Sequence, residues 1–178
     1  MTDTMKLVHT ALLIALGVIL PIVFHFAGAM GSVFLPMHIP VLIAGLLLGG
    51  KEGLIVGIVA PILSSFFTGM PPVIPMLPLM IIELALYGAI SGYLYRARKI
   101  SLAGSLLGAM IIGRLGTVTA LFLMVQLVHI NIPPLAYLIG GITTGFPGIL
   151  MQLILIPLLV KRLESSRLKI PHIKGEQS

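Results

Sequence analysis

The chain lacks cysteine and tryptophan altogether, and Asp, Glu, Lys and Arg make up only 9% of its 178 residues. Soluble domains carry about 25% charged residues. A water-soluble globule of this size could not cover its surface with so few charges. The missing cysteines remove disulfides and thiolate metal ligands, and leave no sign of redox compartment. Aromatic residues are scarce at 6%, so strong stacking of a large ring system is not expected of any binding site. What the chain has instead is apolar: 58% of residues, against about 45–50% in an ordinary domain. Composition therefore excludes a soluble enzyme, a disordered chain and a nucleic-acid-binding domain, and points to an integral membrane protein. The net charge of +6 is no nucleic-acid signal, because the basic residues sit between apolar runs rather than on a patch.

Charges divide the chain into windows. None occurs between Lys6 and Lys51, between Glu52 and Glu83, or between Arg114 and Lys161. A crossing helix needs about 20 apolar residues, and Gly, Ser and Pro clusters at Gly28–Pro36, Thr68–Pro78 and His129–Pro134 break the windows. The pattern predicts an all-α integral membrane protein, a compact bundle of six transmembrane helices near 6–28, 36–50, 53–68, 74–95, 101–128 and 135–162. The second and third are short for a full crossing. With both termini in the cytoplasm, Lys6, Lys51, Arg96, Arg98, Lys99, Lys161, Arg162, Arg167, Lys169 and Lys174 all fall inside, and the outer turns carry no Lys or Arg. Ala27-Gly28-Ala29 resembles a signal-peptide cleavage site, but the weakly positive N-terminal region, Pro21 and the long apolar run favour retention of the first helix. One transmembrane domain over residues 1–163 and a basic cytoplasmic tail over 164–178 are expected. The tail either lies on membrane lipid, where basic side chains meet anionic headgroups, or frays into solvent.

Gly45 to Lys51 (GLLLGGK) matches part of a phosphate-binding loop, but Glu52 follows where Ser or Thr is needed and no strand precedes it. Gly49, Gly50 and Gly53 are read instead as a tight inner turn. Small residues four apart (Gly45/Gly49, Gly53/Gly57, Gly88/Gly92, Gly104/Gly108, Gly141/Gly145) let helix backbones approach in lipid and are read as internal packing. Ala11 and Ala15 form a further small pair on the first helix.

Ionisable groups in hydrocarbon are costly and face the bundle interior or a cavity. Glu83 is expected roughly 13 Å below the outer end of the fourth helix, and Arg114 roughly 20 Å below that of the fifth, so the two can meet. They form either a permanent ion pair that locks the helices together or a substrate site in which Arg114 takes a carboxylate bidentately; the readings are compatible. Helical spacing brings Met76, Met80 and Tyr87 to the Glu83 face and Thr117 to the Arg114 face. Thr144 enters the sixth helix at a depth like that of Glu83, and Gln152, two turns further on, is read as a structural bond between helices. His38, between Pro36 and Pro40, is placed at the outer start of the second helix. His25, His129 and Asn131 fall at the same face. Their spacing matches no compact ligand motif, so no metal is expected. The candidate substrate-binding residues are His38, Met80, Glu83, Tyr87, Arg114, Thr117, Asn131 and Thr144.

Six short hydrophobic helices in so small a chain, the Ala11/Ala15 pair, and residues 34–57 (FLPMHIPVLIAGLLLGGKEGLIVG), 64–72 (SSFFTGMPP) and 83–95 (ELALYGAISGYLY) together resemble the substrate-binding S components of energy-coupling factor (ECF) vitamin transporters. Gly113-Arg114 adds to the likeness, which covers nearly the whole chain. The resemblance implies a subunit of the prokaryotic cell membrane that binds a vitamin near the outer face, in a pocket built largely from the later helices. Loops at about Gly28–Pro36 and Thr68–Pro75 would cover that pocket. It implies docking of Ala11 and Ala15 against a transmembrane T component, two cytoplasmic ATPases that drive uptake, and toppling of the S component in the membrane. No cofactor and no catalytic residue are expected. Arg114 suits an anionic substrate, and the shortage of aromatics favours a small or flexible carboxylate, with pantothenate as the guess. Against this stand a structural or assembly subunit and a small stand-alone transporter without ATPase partners. An autonomous membrane enzyme has little to work with, since Glu83 is the one acid inside the membrane.

Overall fold

The computed structural model describes residues 3–26, 31–128 and 133–168. They form α1 (Asp3–Phe26), a short α2 (Gly31–Phe34), α3 (His38–Leu48), α4 (Gly50–Thr68), α5 (Met76–Gly92) running into one π-helical turn (Tyr93–Ala97), α6 (Leu102–Val128) and α7 (Pro134–Leu168). Apart from the four-residue α2 and the π turn, these are six helices, as the charge-free windows predict. Five are long and apolar enough to cross a membrane. The exception is α3, whose 11 residues span about 16 Å at 1.5 Å per residue, roughly half of a hydrocarbon core.

That short helix is the centre of the molecule. Every residue of α3 except Ile43 is buried, and it lies between α4 and α5, with α1, α7 and the π turn also against it. Glycine makes the close packing achievable. A Cβ on Gly45 or Gly53 would strike the carbonyl of Gly88 in α5, and one on Gly57 would strike that of Leu84. The small-residue spacing thus marks internal packing at α3, α4 and α5. Gly49 alone joins α3 to α4 with φ 131°, a conformation open in practice only to glycine. Outside this core, α1 rests on α4 and α3, α6 on α5, and α7 on α2, α6 and α3.

At the basic end of the bundle the π turn rotates Arg96 back onto α3, where its Nε donates to the Leu46 carbonyl at 3.1 Å and its Nη1 to that of Leu48 at 3.5 Å. A guanidinium here answers both the unpaired carbonyls and the negative end of the helix. The helix then stops at Lys99, which is left-handed (φ 56°), and the Ile100 N–H closes on the Leu94 carbonyl at 3.0 Å. This is a position where glycine is usual and where another residue costs about 1–2 kcal/mol. Near the same end Lys6 of α1 meets Glu52 of α4 at 3.8 Å. The last helix runs without a break through Pro147 and Pro157 to Leu168. Residues 169–178 of the expected tail lie outside the described residues.

Candidate functional site

Starting α3 at His38 has a direct consequence. The sequence places His38 at the outer surface, but the shortness of α3 carries it into the bundle, where only 3% of it is exposed. There it meets Glu83, which α5 presents seven residues from its start, about 10 Å along the helix. The His38 Nε2 to Glu83 Oε1 distance is 3.6 Å, and the ring stands edge-on to Tyr87 with centroids 5.2 Å apart. Arg114 arrives from α6. Its Nη1 lies 3.2 Å from Glu83 Oε1 and 3.5 Å from Oε2. Thr117, one turn further along α6, donates to Glu83 Oε2 at 3.4 Å while also bonding the Gly113 carbonyl at 3.0 Å. Gly113 itself has no side chain, so the Tyr87 ring lies directly on the α6 backbone.

One α5 carboxylate is therefore held by a guanidinium and a hydroxyl from α6, with the α3 imidazole beside it at 3.6 Å, beyond hydrogen-bond reach. The pairing is loose. Its shortest contact is 3.2 Å, whereas a tight charge-assisted bond runs to about 2.7–2.9 Å. Polar capacity is left over: Arg114 Nε and both ring nitrogens of His38 are buried without a hydrogen-bond partner. Glu83 Oε1 is likewise without a hydrogen-bond partner, and buried polar atoms left unpaired, donors or acceptors, are costly.

The sequence does not reveal what covers this cluster. Gly141 and Gly145 of α7 lie against the Arg114 guanidinium, with a Cβ on Gly141 falling 3.1 Å from Nη1. Leu35 packs on Gly145, and the Val33 and Phe34 backbone packs on Gly148. Leu35 is left-handed (φ 50°), an uncommon state for a bulky residue. Its carbonyl accepts the His38 N–H at 3.1 Å and the Gln152 Nε2 at 3.5 Å. Gln152 is thus a bond between α7 and the segment behind α2, while its Oε1 is buried without a partner. Among the described residues the cluster is closed: His38, Glu83, Tyr87 and Thr117 are all buried, with the α2 segment packed on α7. The turn after α4 is pinned, Ser64 Oγ donating to the Met70 carbonyl at 2.8 Å and Ser65 Oγ to that of Pro71 at 2.7 Å.

Of the residues predicted for the site, the structure joins His38, Glu83, Tyr87, Arg114 and Thr117. Met80 is half-buried one turn from Glu83 and packs on the core. Thr144 is exposed on α7, off the Gly141–Gly145–Gly148 line that faces the bundle. Asn131 lies outside the described residues. Leu35, Gly141 and Gly145 are the contributors that sequence reasoning missed; the paired glycines were the available signal. Ala11 and Ala15 are exposed on α1. With Ile14, Val18, Ile19, Leu63 and Phe67 they line a shallow, almost wholly apolar groove of about 360 Å³.

Residues 5–160 match the family model described as the substrate-specific component of ECF transporters. The comparison with curated proteins and that with solved structures give no match.

Proposed function

Because the chain belongs to the substrate-specific components of ECF transporters, we propose that it captures a small carboxylate vitamin or precursor, pantothenate being the leading candidate, at the Glu83–Arg114 cluster. The observation that carries this reading is the unpartnered, buried Arg114 Nε beside a loosely held Glu83. A guanidinium offers five donors in a planar fork, and a ligand carboxylate can take the Nε and one terminal nitrogen together. His38 and Thr117 remain to hold Glu83 when its share of Arg114 is given up. The segment from Gly31 to Leu35 acts as the cover, lifting from Gly145 and Gly148 to admit the ligand, with the left-handed Leu35 as the point that yields. The closed arrangement is the occluded form.

The basic end is assigned to the cytoplasm by its lysines and arginines, with both termini on that side, in a prokaryotic cell membrane. The transmembrane unit is taken as residues 1–163 and the basic tail as 164–178. The Ala11/Ala15 groove is the docking face for the T component, and two cytoplasmic ATPases supply the energy. A thermal-shift screen of the detergent-purified protein against B vitamins tests the capture reading: a carboxylate vitamin should stabilise the wild type and not Arg114→Ala, and binding retained by a folded Arg114→Ala removes the role. Ala11→Trp should leave vitamin binding intact and block uptake by cells that express the T component and ATPases; undiminished uptake would refute the docking face.

The closed burial of Glu83 favours one other reading, a structural or assembly subunit in which the cluster is a lock between helices. No vitamin in the screen would then stabilise the protein, and no ATPase would copurify with it.

A further inference from the structure

A second charged recess lies at the basic end, far along α5 from Glu83. Tyr95, Arg96, Lys99, Ile100 and Glu164 line an open groove of about 530 Å³. Its walls are the ends of three spans, which stop at Ala97, begin at Leu102 and stop at Ser165. The groove therefore lies at the level of the lipid headgroups, whichever way the bundle faces.

Its chemistry is mixed in sign. The Tyr95 hydroxyl donates to both oxygens of Glu164, at 3.2 and 3.1 Å, and so fixes a carboxylate in the wall. Arg96 spends Nε and Nη1 on α3 carbonyls but still contributes a positive charge. Lys99 stands at the left-handed position that ends the helix, where glycine would be cheaper. A residue that breaks a local rule is expected where its side chain has a use. Ile100 and the Tyr95 ring supply apolar wall.

We infer that this groove binds the headgroup of a phospholipid that carries both a phosphate and a primary amine, as phosphatidylethanolamine does. The phosphate takes Lys99 and Arg96. The ammonium takes Glu164, and the acyl chains leave along the apolar flank of the bundle. An anionic headgroup without an amine would set its negative charge beside Glu164 and bring no cation to offset it. A choline headgroup has a cation but no N–H to donate.

Native mass spectrometry of the full chain in detergent, titrated with short-chain phosphatidylethanolamine, phosphatidylglycerol and phosphatidylcholine, tests the inference. Ethanolamine lipid should be retained about fivefold better than choline lipid, as expected for a partly exposed ion pair, and better than glycerol lipid. Glu164→Gln keeps a partner for Tyr95 and should abolish the ethanolamine preference while sparing retention of the glycerol lipid. Lys99→Gly relieves the backbone, so it should fold at least as well as wild type, yet lower retention of all three lipids, each of which carries the phosphate, while the preference for ethanolamine over choline lipid remains. Equal retention of the three lipids, or an ethanolamine preference untouched in Glu164→Gln, would overturn the assignment. Water-soluble phosphoethanolamine competing as well as the lipid would overturn the lipid source.

Discussion

Two clusters in this molecule are built from the same materials, a glutamate, an arginine and a tyrosine, and differ in solvation. Glu83 and Tyr87, with His38 and Thr117, are sealed between helices, with Arg114 half-buried beside them; only 4% of Glu83 is exposed. Glu164, Arg96 and Tyr95, with Lys99, line a groove open at one end of the bundle. Taking a charge out of water costs several kcal/mol, repaid only by close pairing. The first cluster incurs that cost, and its shortest ionic contact is 3.2 Å. The second incurs little, because water reaches it. The difference teaches that a buried charge held loosely needs a reason beyond stability, whereas an exposed one does not.

The comparison breaks if the two carboxylates prove equivalent. Glu83→Ala leaves Arg114 without its counter-charge and should lower unfolding stability in detergent by about 3–5 kcal/mol. Glu164→Ala should cost under about 1 kcal/mol. Like losses from thermal melts of the two variants would refute the distinction. Next in size is packing at the core that holds the sealed cluster in place. Gly53→Leu drives a side chain into the Gly88 carbonyl and should cost about 3 kcal/mol, at the upper end for an overpacked core; a melt within error of wild type would show that α3, α4 and α5 can separate freely. The smallest effect sharpens the open side. Tyr95→Phe removes one partly buried hydrogen bond to Glu164 and should cost about 1 kcal/mol or less, read as a small shift in the same melts.

Much of the sealed cluster was legible in the sequence, because charge in a hydrocarbon window is rare enough to stand out. Glu83 and Arg114 could be paired from depth along their helices, and Thr117 and Tyr87 followed from helical spacing. His38 was named for the site but placed at the surface. The reason is that a run of apolar residues does not report how long its helix is: α3 starts only at His38, after the left-handed Leu35, and so begins inside the bundle. The cover was legible as a loop position but not as a contact, since packing of Leu35 on Gly145 depends on α7 lying across α2, which no local pattern encodes. Thr144 is the complementary case, exposed on α7. Depth along a helix follows from residue count, whereas rotation about the axis depends on which neighbours α7 meets. The recess at the basic end was invisible because its parts are 69 residues apart in the Tyr95–Glu164 bond and a π turn, unmarked in the sequence, brings Arg96 onto α3.

The measurement closest to the heart of the proposed function is calorimetric titration of a carboxylate vitamin into wild type and into the double variant Glu83→Met/Arg114→Met. Replacing both charges removes the lock without leaving either ion stranded, so the double variant should melt near the wild type or above it. The capture reading predicts binding to wild type and none to the folded double variant. Equal binding to both, or binding to neither across the carboxylate vitamins, would contradict it.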